Sequence, residues 1–144
     1  MLHNQWHGKI NRSKYNVNAG LCLKTDMNFN YRMEYNHMPQ LDAKQAASMI
    51  ERWISFYDMD NAKAWDKDDY PFIQTSCRQM RTAIQALRGK GPTAPGERKK
   101  VAAALEEFIE DSFMDDANEW EPENRAFVKE SMAALQYAAG FLQK

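Results

Sequence analysis

The chain has 144 residues, 44% of them hydrophobic and 27% charged, with 19 Lys and Arg against 20 Asp and Glu. A chain of this length buries roughly 70% of its unfolded surface, so one domain spanning 1–144 needs neither disulfide nor metal to hold a core. Four Trp, seven Phe and six Tyr exclude an intrinsically disordered chain, and no run of 18 apolar residues marks a membrane span.

The N-terminal stretch Met1-Leu2-His3-Asn4-Gln5-Trp6-His7 has no apolar signal-peptide core, and the expected location is the cytoplasm. Two cysteines, Cys22 and Cys77, are too few for a disulfide framework and are read as reduced. Residues 1–40 read as β-rich. Met27, Phe29, Tyr31, Met33 and Tyr35 alternate with Asn28, Asn30, Arg32 and Glu34, the period of a half-buried strand. Tyr15, Val17, Ala19, Leu21 and Leu23 alternate before them, and Thr25-Asp26 connects the two runs. The reading is an antiparallel hairpin, or a three-stranded meander if Gly20 divides the first run. Seven of the ten asparagines fall in the first 36 residues, on or near the face opposite the aromatics. Asn is a poor strand former, so that polar face is a second candidate surface.

Residues 41–144 read as four helices. Asp42 with Gln45 forms a capping box ahead of a helix over 43–57, whose apolar residues Ala46, Met49, Ile50, Trp53, Ile54 and Tyr57 share one face. An acidic connector from Asp58 to Asp69 leads to Pro71, which suits the first turn of a helix over 71–88 with the stripe Ile73, Cys77, Met80, Ile84 and Leu87. A Gly- and Pro-rich loop precedes a third helix over 97–114, with Val101, Leu105, Phe108 and Ile109 inward. The last helix, over 122–143, has a wide apolar band that suits a central position or a homodimer contact. No internal repeat is visible at any period. The expected fold class is α+β, the hairpin or meander packed on the four helices.

Charge is distributed in blocks: +3 over 1–40, −3 over 41–77, +6 over 78–105, −9 over 106–123 and +2 over 124–144. The acidic block carries nine carboxylates and no Lys or Arg, and like charges at helical spacing repel by a few tenths of a kcal/mol per pair. Either a basic segment folds back on it or it faces solvent or a basic partner. Glu110, Asp111, Asp115, Asp116, Glu119, Trp120 and Glu121 are the candidate protein-binding residues, with Trp120 as the anchor because Trp is enriched at interface centres. The alternative surface is basic: Arg78, Arg81, Arg88, Lys90, Arg98, Lys99 and Lys100 would neutralise nucleic-acid phosphates.

Catalytic and metal signatures are weak. His3, His7, Cys22 and His37 do not have the spacing of a zinc module. The segment from Asp58 to Asp69 starts like a calcium loop but has Lys63 where the turn requires Gly. Gly89-Lys90-Gly91 follows a helix and lacks the Ser or Thr of a phosphate-binding loop. The expected function is therefore non-catalytic, with no cofactor and no metal: a protein-binding domain whose acidic surface meets a basic protein or nucleoprotein complex. A compact inhibitor carried by a phage or mobile element, aimed at a nucleic-acid-handling machine such as a CRISPR effector, fits that pattern, because carboxylates can occupy phosphate positions.

Overall fold

The computed structural model describes residues 40–144, which are 72% helical and contain no strand among the described residues. Four helices carry the fold: α1 (Ala43–Phe56), α2 (Tyr70–Leu87), α3 (Pro95–Asp111) and α4 (Arg125–Leu142). The expected α+β class is thereby corrected to a helical bundle. The alternating runs at 15–23 and 27–35 lie outside the described residues. The physical reason for the correction is that the four apolar stripes cover one another. α1 packs on α2 and α4, α3 packs on α2 and α4, and α2 also meets α4, so the core of the described residues closes among the helices themselves.

Local chemistry sets the helix ends. The Asp42 side chain accepts from the Gln45 backbone N–H at 2.7 Å while Gln45 Oε1 accepts from the Asp42 N–H at 3.0 Å, the capping box read from the sequence. Pro71 sits in the first turn of α2 and Pro95 opens α3. Before α4, Pro122 opens a short 3-10 turn, and the α-helix begins only at Arg125. α2 ends where Gly89 takes φ +83, and Lys90 donates back to the Gln85 carbonyl at 2.8 Å. At Gly91 a Cβ would lie 2.5 Å from Ala86, so the chain leaving α2 runs too close to the helix for any side chain.

Neighbouring helices run antiparallel. Trp53 near the end of α1 stacks on Phe127 near the start of α4, and Phe72 near the start of α2 stacks on Phe108 near the end of α3. Arg98 near the start of α3 reaches the Leu142 carbonyl at the end of α4. The path is up, down, up, down, which brings the α1–α2 and α3–α4 loops to one end and the α2–α3 connection to the other. Phe108 and Phe127 are 2% and 0% exposed, and burying each contributes about 2–3 kcal/mol. α4, like α2, packs on all three other helices, and Phe127, Val128, Ala134, Leu135, Ala138, Ala139 and Leu142 of its wide band are buried within the chain.

The two long loops share one construction. After α1, Asp58 takes φ +49, Met59 donates to the Ile54 carbonyl at 3.0 Å, and Asn61 caps a 3-10 turn over Ala62–Ala64 through the Lys63 N–H. Trp65 then folds back, its indole N–H donating to the Asp58 carbonyl at 3.0 Å. After α3, Phe113 takes φ +55, Met114 donates to the Ile109 carbonyl at 3.1 Å, Asp116 caps the turn over Ala117–Glu119 through the Asn118 N–H, and the Trp120 indole donates to the Phe113 carbonyl at 2.8 Å. The sequence expectation of no internal repeat is corrected here. Met59-Asp60-Asn61-Ala62-Lys63-Ala64-Trp65 recurs 55 positions later as Met114-Asp115-Asp116-Ala117-Asn118-Glu119-Trp120.

Candidate interaction surface

The path of the chain gathers charge that the sequence spreads over 66 positions, from Asp58 to Glu123. The end of the bundle formed by 58–69 and 110–125 carries Asp58, Asp60, Asp66, Asp68, Asp69, Glu110, Asp111, Asp115, Asp116, Glu119, Glu121 and Glu123 against Lys63, Lys67 and Arg125. Summed carboxylates at one end of a small domain produce a potential that steers cationic partners toward it. The opposite end holds the α2–α3 connection with Lys90, Lys99, Lys100 and Lys144.

Among the acidic candidates, Glu110, Asp111, Asp115, Glu119 and Glu121 are exposed and Asp116 is half-buried, its carboxylate committed to the turn. No described Lys or Arg lies within ion-pair distance of Glu110, Asp111, Asp115 or Glu121. Trp120 belongs elsewhere. It is 2% exposed, its ring centroid 6.0 Å from Trp53 and 6.4 Å from Tyr57, so the expected surface anchor is instead a core residue that seals its own loop. The recurrence of the tryptophan at the end of both Met-Asp-x-Ala-x-x-Trp segments is the sequence signal for that role. Arg125 closes the same loop, with Nε donating to the Ala117 and Trp120 carbonyls.

The basic candidates do not form one free patch. Arg81 pairs with Asp60 at 2.8 Å and Arg88 with Glu51 at 2.6 Å, both in the first half of the described chain and not on the acidic block. Arg98 donates to the carbonyls of Leu142, Phe141 and Pro92, which ties the start of α3 to the end of α4 and satisfies carbonyls that the helix end leaves open. Arg78, Lys90, Lys99 and Lys100 remain exposed. A shallow cleft of about 290 Å³ lies beside Arg98, between Thr93, Pro95, Lys99, Leu142, Gln143 and Lys144.

Among the described residues no three His, Cys, Asp or Glu side chains converge on a metal position. The expected non-site His3, His7, Cys22 and His37, like the asparagine face, lies outside the described residues. Cys77 is buried on the α2 stripe, where desolvation pushes its thiol pKa up and nearby Arg81 only partly offsets the effect. No helix among the described residues is long and apolar enough to cross a membrane. No protein-family model matches the sequence, and neither the curated proteins nor the solved structures hold a match to it.

Proposed function

We propose that the chain is a non-catalytic binding protein that meets a basic partner with the acidic end of its bundle, chiefly through Glu110, Asp111, Asp115 and Glu121. The observation that carries this reading is the contrast between the two loops. The first is built the same way yet partly neutralised: Lys63 and Lys67 sit within it and Arg81 pairs with Asp60. At the corresponding positions of the second stand Asn118, Pro122 and Gln136, and its one cation, Arg125, donates its Nε to the Ala117 and Trp120 carbonyls. The loop architecture therefore does not require uncompensated charge, and the second loop retains it despite the repulsion. A partner whose groove ordinarily holds nucleic-acid phosphates offers the complementary surface, which makes a compact inhibitor of a nucleic-acid-handling machine the favoured class.

The test compares the parent with the Glu110→Lys, Asp115→Lys, Glu121→Lys triple variant. The partner is recovered by quantitative affinity capture, and association rates are measured at low and high salt. The variant should associate about tenfold more slowly at low ionic strength, with unchanged helical circular dichroism and a difference that shrinks as salt screens the charges. Equal association rates at low salt would sink the reading.

A further inference from the structure

We infer that residues 43–88 and 98–143 are two copies of one helix–loop–helix unit, and that the surface between them is an isologous interface in which each unit takes a like unit as its partner. In a two-fold contact, residue i of one unit meets j of the other while j of the first meets i of the second. That reciprocity holds here at a single offset of 55 positions. Trp53 of the first unit stacks on Phe127 of the second, with centroids 5.7 Å apart and planes 21° from parallel. Their counterparts, Phe108 and Phe72, stack at 5.9 Å and 12°. Trp53 also meets its own counterpart Phe108 edge-on at 6.3 Å, a contact that requires both residues to lie beside the pseudo-two-fold axis.

Contacts inside each unit obey the same offset. Arg88 donates to Glu51 in the first, and Gln143 donates to Glu106 at 3.2 Å in the second. Both loops repeat their left-handed residue, capped turn and indole-to-carbonyl bond. General antiparallel packing makes helices neighbours, but it does not align side-chain stacks, polar pairs and loop hydrogen bonds at one common spacing. The chemistry of the partner surface follows: a large ring at position 53 or 108 slots against a phenylalanine at 127 or 72, so the partner that fits each half is another unit of the same pattern.

Two full-chain experiments test this. The first writes the second loop into the first through Asn61→Asp, Lys63→Asn, Ala64→Glu, Asp66→Glu, Lys67→Pro and Asp68→Glu. Thermal unfolding should stay a single transition with Tm within about 8 °C of the parent. A control places the same six residues out of register, as Asn61→Glu, Lys63→Glu, Ala64→Pro, Asp66→Asn and Lys67→Glu with Asp68 kept, and should lose about 15 °C or more. Similar losses in both chains, or none in either, overturn the equivalence of the loops. The second experiment exchanges the axis residues. Trp53→Phe opens a void and Phe108→Trp overfills its site, but the double variant restores the contents of the axis, so its Tm loss should be smaller than the two single losses added together. A double loss equal to or larger than that total overturns the two-fold axis.

Discussion

The Trp120 indole N–H donates to the Phe113 carbonyl at 2.8 Å, so the residue that ends the second acidic loop holds the residue that begins it. Phe113 is left-handed at φ +55, a conformation that L residues adopt at a cost and that needs fixing from outside. Trp120→Phe keeps most of the apolar volume and should lower stability by about 1 kcal/mol through the lost hydrogen bond. Trp120→Ala should cost about 3–5 kcal/mol through the cavity beside Trp53 and Tyr57. Urea unfolding measures both. A loss below about 1 kcal/mol for Trp120→Ala would contradict its place in the core.

Asp58 occupies the matching left-handed position in the first loop, at φ +49. Glycine adopts that conformation without the Cβ clash, a relief of about 1–2 kcal/mol, against about 0.5–1 kcal/mol for its greater freedom when unfolded. Asp58→Gly should therefore be more stable than Asp58→Ala, which lacks the same carboxylate, by about 0.5–1 kcal/mol, and both keep the backbone carbonyl that Trp65 bonds. Phe113→Gly should show no such gain, because it also removes a partly buried ring. A urea midpoint for Asp58→Gly no higher than that of Asp58→Ala counts against the geometry.

Cys77 gives a pH-dependent expectation. Burial raises its thiol pKa from the ordinary value of 9.0, so the folded state holds the proton more tightly than the unfolded chain does. The resulting stability is fully present below pH 9.0 and is lost as pH rises through the higher folded value. In a Cys22→Ser background, alkylation of Cys77 at pH 8 should run at less than about a tenth of the rate of the urea-unfolded chain. Equal rates in folded and unfolded protein would place the thiol on the surface.

Much of the helical part was legible because its causes are short-range. The Asp42–Gln45 capping box, the proline at the start of α2 and the stripe from Ile73 to Leu87 each follow from residues within one or a few turns of each other, and the structure has them all. The fold class was not legible. The alternating pattern of the N-terminal segment implies a sheet packed on the helices, whereas amphipathic helices of similar length cover one another, and which partner each takes is decided by long-range packing. The repeat is faint in the sequence for a related reason. Its two copies are identical at only twelve of 46 positions, four of them Met, Asp, Ala and Trp within the loops, and elsewhere they preserve mainly size and position, as Trp53 and Phe108 do. The sequence by itself determined the local elements and the charge of each block. Only the tertiary structure decided where those charges meet, because the antiparallel path brings two loops separated by a whole helical hairpin to one end. It also decided that Trp120 is core and Arg98 a helix clasp, since the burial of one and the carbonyl partners of the other come from chain segments that no local pattern encodes.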